Sequence, residues 1–266
     1  MFDVIYLAFE YPEHFMFMLL RVGGLILSSP IFGRVNIPMY ARIMFAIVLT
    51  HLFMLMFPPT HEVVYDGLLG FVLLCAFEML MGIALAFVTN LFFTSVLVAG
   101  HMIDRQIGFG IVSVFDAQNQ SQIPITGTIL NLMILVVFLA VNGHLRLIEI
   151  MALVIEGIPV GTAAFTPGVG LVAIELFIRS FLLGIMIALP IIAAGLVIEV
   201  ILGILMRFVP QIHMFVVGIP LKMVVGLMVL TVSLPVFVGF TTVIFDEMFL
   251  GIQRMFATFG TTAVIG

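Results

Sequence analysis

Residues 171–206 read LVAIELFIRSFLLGIMIALPIIAAGLVIEVILGILM, and this apolar run decides the fold class. As a single α-helix the run would be roughly 54 Å long at 1.5 Å per residue, whereas about 20 residues cross the ~30 Å hydrocarbon layer of a membrane. Proline lacks an N–H and clashes with the preceding helical turn, so Pro190 can break the run. The sequence therefore predicts a membrane helix that is either strongly tilted or broken.

Further apolar runs cover about 15–31, 43–57, 68–100, 125–142 and 212–245, the last interrupted by Pro235. Together the runs predict five to eight helices in an all-α fold of the integral membrane type. Helical hairpins and long tilted or broken helices are expected, since the run lengths do not suit a bundle of upright spans. No clear repeat or hydrophilic linker divides the chain, so we expect one membrane-associated unit over residues 1–266.

Composition excludes several classes of protein. The chain is 64% hydrophobic and 9% charged, with a mean hydropathy of +1.38, whereas soluble domains carry about 25% charged residues. A soluble enzyme is therefore excluded. The net charge is −5 and Lys222 is the only lysine, so the basic footprint of a nucleic-acid partner is missing.

Motifs for chemistry are missing as well. The sequence holds no HExxH, P-loop, GxSxG or complete GxGxxG pattern. Its six histidines are scattered without metal-ligand spacing. We therefore expect neither an enzyme nor a cofactor.

Loop charges give a partial topology. Arg34 and Arg42 lie in the connection 32–42, whereas the connection 58–67 carries Glu62 and Asp66 but no base. Basic loops favour the cytoplasmic side, so the first connection is expected inside and the second outside.

Five charged residues lie inside the apolar runs 15–31, 68–100 and 171–206, where a central charge costs about 2.5–3.5 kcal/mol on insertion scales. They are Arg21, Glu78, Glu175, Arg179 and Glu199. Glu175 and Arg179, four residues apart, are able to pair on one helix face, and the others have no local partner of opposite sign. One interpretation is structural ion pairs with other helices or subunits; the other is a proton or ion path.

Small residues recur at four-residue spacing in two of the runs. Gly82 precedes Ala86, and Gly184 precedes Ala188. Such pairs let the backbones of two membrane helices approach closely, so we expect helix–helix contacts at these positions.

The connection 101–124, HMIDRQIGFGIVSVFDAQNQSQIP, is unusually long and apolar in its first half. Connections above about 12–15 residues tend to be functional or disordered, and an apolar one has to be buried somewhere. Gly108 and Gly110 flank Phe109, which allows backbone conformations closed to other residues. The segment is interpreted either as a plug that closes a conduit or as a re-entrant segment packed on neighbouring helices.

Three stretches carry a resemblance to a known family. The first is PIFGR at 30–34 with Ile37, Pro38 and Arg42. The second is DRQIGFG at 104–110, followed by Phe115, Asp116, Pro124, Gly127 and NGH at 142–144. The third comprises LP at 189–190, Glu199, LG at 202–203, Arg207, PQ at 210–211, Phe215, Gly218, PLK at 220–222 and Gly226. This pattern is similar to the R subunit family of the flagellar type III export gate and its virulence-secretion counterparts.

The resemblance implies a component of the gate through which unfolded flagellar proteins cross the bacterial inner membrane. It implies assembly with P and Q subunits into a helical ring, and association with the B subunit of the export switch. The expected location is the inner membrane at the flagellar basal body, with part of the fold on the periplasmic side.

The resemblance also implies a plug loop at residues 106–122, with Phe109 and Phe115 as its sealing side chains. The expected plug residues are Gln106, Ile107, Gly108, Phe109, Gly110, Ile111, Val112, Val114 and Phe115. Charges expected to face other helices or subunits are Arg21, Glu78, Glu175, Arg179, Glu199, Arg207 and Lys222. Two alternatives stay open: a small-molecule or ion-coupled secondary transporter whose site contains Glu78, Glu175, Arg179 and Glu199, and a structural scaffold without a gating loop.

Overall fold

The computed structural model describes residues 10–34, 37–59, 63–109, 124–208 and 217–261. These ranges hold seven α-helices. We number them α1 (Pro12–Ser28), α2 (Met39–Met56), α3 (Gly67–Ile107), α4 (Ile125–Ala140), α5 (Gly143–Gly157), α6 (Pro167–Phe208) and α7 (Ile219–Ala257). Two strands of two residues each, β1 (Ala163–Ala164) and β2 (Gly260–Thr261), pair antiparallel with Ala163 opposite Thr261. The all-α, membrane-type fold expected from the sequence is confirmed.

Within the described ranges, four helices are long and apolar enough to cross a membrane: α2, α3, α6 and α7. A fifth span results if α4 and α5, which are separated by a two-residue turn, count as one. The 41 residues of α3 and the 42 of α6 correspond to roughly 60 Å of helix, about twice the hydrocarbon thickness. The expectation of helices too long for upright spans is therefore confirmed.

The breaks that the sequence allowed at the two prolines do not occur. Pro190 lies inside the continuous helix α6, and Pro235 lies inside α7. A proline removes one helical hydrogen bond, whereas unwinding a helix in apolar surroundings would leave several N–H and C=O groups without partners. Continuous helices are therefore the less costly outcome for both prolines.

Contacts divide the chain into two compact units, and α3, α6 and α7 contribute residues to both. Unit 1 comprises Met1–Leu91, Val141–Leu176 and Glu247–Gly266. In unit 1, α1 buries Phe17, Val22 and Leu25 completely. Gly24 and Gly82 bring α1 and α3 together: a Cβ on Gly24 would lie 2.6 Å from the carbonyl oxygen of Met79, and one on Gly82 would overlap the Arg21 carbonyl. The close contact predicted at Gly82 is confirmed.

Unit 2 comprises Phe92–Ala140 and Phe177–Asp246. Phe138 makes edge-to-face contacts with Phe93 and Phe245, with ring centroids 5.6 and 5.2 Å apart. Such aromatic pairs add about 0.5–1.5 kcal/mol each beyond their buried area. A Cβ on Gly184 would lie 2.7 Å from the Ser95 carbonyl oxygen, so the contact predicted there is confirmed. That residues 1–266 act as one unit stays a prediction.

Apolar side chains also cover the outside of the long helices. On α7, Val232, Val236 and Met228 are 77%, 73% and 62% exposed. A helix that is apolar all round needs an apolar environment on every side. The exposed faces are therefore suited to lipid or to other apolar subunits rather than to water.

Candidate functional site

The predicted plug begins where α3 ends, in unit 2. Helix α3 ends at Ile107, and Gly108 follows with a φ of +99°, a conformation that glycine adopts without a Cβ penalty. The N–H groups of Gly108 and Phe109 both donate to the Asp104 carbonyl oxygen, at 3.1 and 2.9 Å. The bond from Phe109 spans six residues, as in the Schellman motif that ends many helices. The backbone freedom predicted for Gly108 is used in the structure to end α3.

The last turn of α3 is seated on two glycines of unit 2. Gln106 lies against Gly195 of α6, so that a Cβ on Gly195 would collide with the Gln106 side chain. Ile107, only 1% exposed, lies against Gly226 of α7, where a Cβ would come within 2.7 Å of its Cγ1. The segment that follows α3 therefore starts from a buried, tightly packed point.

Of the nine predicted plug residues, Gln106, Ile107, Gly108 and Phe109 lie in the described ranges. Phe109 is half-buried, and the buried amide nitrogen of Gln106 has no hydrogen-bond partner among the described residues. The other five, Gly110, Ile111, Val112, Val114 and Phe115, lie outside the described residues.

The far end of the segment enters α4 at Ile125, directly after Pro124. The Pro124 carbonyl accepts the first helical hydrogen bond, from Thr128 at 2.9 Å, so Pro124 is the N-cap residue. A proline side chain is unable to accept a bond from the free N–H groups of the first turn. The Asp104 carboxylate takes that role from α3: its two oxygens lie 3.1 and 3.2 Å from the Thr126 backbone nitrogen.

The charges of unit 1 form defined pairs. The Arg21 guanidinium donates to both Glu78 oxygens, at 2.6 and 3.0 Å, and also to the Ile158 carbonyl at 2.7 Å. The Gly161 N–H donates to Glu78 at 2.7 Å. Both charged side chains are completely buried, so α1, α3 and the turn after α5 meet at one hydrogen-bonded ion pair.

The remaining predicted charges lie in more exposed positions. In unit 1, Arg254 of α7 donates to Glu175 of α6 at 3.3 Å. In unit 2, Lys222 in the first turn of α7 pairs with Glu199 of α6. Arg207 is exposed in the last turn of α6. Glu78, Glu175 and Glu199, the carboxylates of the alternative transporter site, thus each have their own basic partner.

Sequence reasoning missed two features of this site. Asp104 was named only as part of the motif at 104–110, because a helix cap that comes from 22 residues away leaves no local sequence pattern. Gly226 was named only as a position of the family motif, and Gly195 was not named. In the structure both glycines accommodate side chains of α3. One signal was available in the sequence. The motif contains a carboxylate, Asp104, and the next helix starts after Pro124, whose side chain is unable to accept a capping hydrogen bond.

The geometry defines a helical membrane protein in which the end of α3 packs tightly against α6 and α7. The comparisons identify its family. Residues 13–248 match the family described as bacterial export proteins, family 1. The chain belongs to this family. The match includes the connection 101–124 and every ion pair described above except the one formed by Arg254.

Relatives that carry the name flagellar biosynthetic protein FliR extend along most of the chain. The relative from Escherichia coli K12 is 30% identical over 231 residues, which cover 87% of this chain and 88% of the relative. That from Bacillus subtilis 168 is 31% identical over 229 residues, or 84% and 86% of the two chains. That from Aquifex aeolicus VF5 is 28% identical over 227 residues, or 84% and 87%. The family expected from the sequence, and the function as a membrane component of flagellar protein export, are confirmed.

Proposed function

We propose that this chain is a non-enzymatic pore component of the flagellar type III export gate, closed at rest by residues 106–122. In this proposal the chain assembles with P and Q subunits and associates with the B subunit of the export switch. Unfolded flagellar proteins then pass through the assembly across the inner membrane, and part of the fold lies on the periplasmic side.

The observation that carries the proposal is the tight packing of the last turn of α3, from which the segment starts. A plug has to return to the same place after each opening, and this requires a fixed starting point. The last turn of α3 supplies such a point, because Gln106 and Ile107 fill the spaces left by Gly195 and Gly226. Apolar side chains in a constriction exclude water and ions, and Phe109 with Phe115 provide the largest apolar surface of the segment.

The exposed apolar faces support an assembly. Side chains such as Val232 and Val236 need a lipid or protein neighbour. The ion pairs of Glu78, Glu175 and Glu199 support structural roles for these carboxylates, which leaves the transporter alternative without a group of free carboxylates.

Replacing Phe109 and Phe115 together with alanine tests the closing role. We expect the reconstituted export complex to conduct ions at rest, because the seal loses two aromatic side chains. The measurement is the resting conductance of planar bilayers that contain the whole complex. Phe208→Ala, at a position 77% exposed at the end of α6, is the matched control and should stay closed. A double variant as tight as the unmodified complex would contradict the proposal.

A further inference from the structure

Asp104 touches both ends of the segment that separates α3 from α4. On the α3 side its carbonyl oxygen accepts the N–H groups of Gly108 and Phe109. On the α4 side its carboxylate accepts the Thr126 N–H with both oxygens. One residue therefore joins the end of α3 to the start of α4 through its own backbone and side chain.

The carboxylate is placed where a charge is costly unless it is compensated. Asp104 is 6% exposed, and a buried carboxylate without partners is strongly unfavourable. Thr126 is the second residue of α4, so its N–H has no partner within the helix. The positive end of the α4 dipole stabilises the negative charge further. Each group thus removes the other's main energetic cost.

Backbone packing keeps the two helices close at the same level. One turn before Asp104, a Cβ on Gly100 would overlap the backbone of Gly127 on α4. A Cβ on Gly127 would in turn lie 3.0 Å from the Leu97 carbonyl oxygen. These glycines let α3 and α4 approach until the Asp104 carboxylate reaches the first turn of α4.

We infer that Asp104 is a positioning residue that joins the two ends of the closing segment and thereby keeps its sealing side chains in place. This inference rests on the proposed function, because it assigns Asp104 a role within the same closure. Without the carboxylate, the start of α4 loses its cap, and the two ends of the segment are no longer joined at Asp104, although the glycine contact one turn earlier remains. The seal then fails even though every sealing side chain is present.

Two measurements on the assembled full-length complex separate this inference from the proposed function. The first is the distance distribution between spin labels at Arg105 and Thr128, which are both exposed, in a background where Cys75, the single cysteine of the chain, is replaced by serine and partner cysteines are removed. The second is the resting conductance in planar bilayers.

For Asp104→Ala we expect a clearly broader label distribution and a resting conductance about tenfold above that of the unmodified complex, the size that follows from losing one charge-assisted hydrogen bond. Asp104→Asn keeps the shape and one acceptor oxygen, so it should restore most of the order and the closure. It also carries the test if the alanine variant fails to assemble, since the weaker neutral bond should give values between the unmodified complex and full loss. Asp246→Ala removes an exposed aspartate of unit 2 and should change neither measurement.

An unchanged label distribution in both Asp104 variants would overturn the positioning role, whatever the conductance. A broader distribution without leakage, in a complex that leaks when 108–115 is deleted, would also overturn it. If that deletion itself leaves the complex closed, the proposed plug is wrong, and a broader distribution then still supports the connection between the two helix ends.

Discussion

Two arginine–glutamate pairs join helices of unit 1 in the described part of the chain, one in the core of the unit and one at its surface. Arg21 and Glu78 are completely buried and have two further backbone partners, Ile158 and Gly161. Arg254 and Glu175 meet at 3.3 Å with side chains 42% and 56% exposed. The residue types are the same, yet among the described residues only the buried pair makes further hydrogen bonds to backbone groups. Burial and shared backbone partners, rather than charge alone, therefore decide what an ion pair contributes in this chain.

Removing Glu78 is expected to have the largest effect on stability. Glu78→Ala leaves the Arg21 charge buried and unpaired, which destabilises a fold by about 3–5 kcal/mol, so little complex should form. The matched variant Glu175→Ala breaks an exposed pair worth about 0–1 kcal/mol, and its complex should form normally. Yield and thermal unfolding of the complex in detergent measure both variants. Equal losses for the two variants would contradict the comparison.

Adjacent glycines of α1 test the packing around the buried pair, with an intermediate effect. A Cβ on Gly24 meets the Met79 carbonyl oxygen at 2.6 Å, whereas one on Gly23 meets nothing within 4 Å. Gly24→Ala should push α1 away from α3 and destabilise the fold by about 1–3 kcal/mol. Gly23→Ala should stabilise it by up to about 1 kcal/mol, since alanine favours helix.

The unfolding midpoints of these two variants in detergent provide the measurement. A destabilised Gly23→Ala together with an unaffected Gly24→Ala would show that α1 and α3 do not meet as described.

The smallest effect is expected at an exposed contact between the same two parts of the chain. Tyr65, just before α3, donates its hydroxyl to Glu13 of α1 at 2.8 Å. That hydrogen bond, followed by desolvation and the charge of Glu13, raises the pKa of Tyr65 above its usual value. The pKa of Tyr65 in the folded chain exceeds the unfolded value of about 10. The stabilising contribution of its hydroxyl is therefore present below pH 10 and is lost as pH rises through the raised pKa.

Tyr65→Phe should therefore slightly lower the free energy of unfolding at neutral pH. At alkaline pH the free energy of unfolding should decline less in this variant than in the unmodified chain. Thermal unfolding across the alkaline range measures this, with Tyr40→Phe as an exposed control. The same alkaline decline in Tyr65→Phe and in the unmodified chain would contradict a contribution from this hydroxyl.

Apolar run lengths were sufficient to predict an all-α membrane-type fold, because hydropathy is a property of local sequence. Whether Pro190 and Pro235 break their helices was left open, since local proline rules omit the cost of unwinding a helix in apolar surroundings. The family followed from motif positions spread along the chain.

Partners across the fold were out of reach of sequence reasoning. Arg21 and Glu78 are 57 residues apart, and Asp104 and Thr126 are 22 residues apart. No periodicity links such pairs, because their contact depends on how helices pack. The sequence indicated that the buried charges need partners, and the structure supplies Arg21 for Glu78 and Lys222 for Glu199.

The most direct test of the central claim is the resting conductance of the reconstituted export complex with residues 108–115 deleted. Closure by the segment 106–122 predicts that the deletion complex assembles fully and conducts ions continuously. The unmodified complex in the same bilayers should show only a low resting conductance. A fully assembled deletion complex whose resting conductance is as low as that of the unmodified complex would contradict the claim.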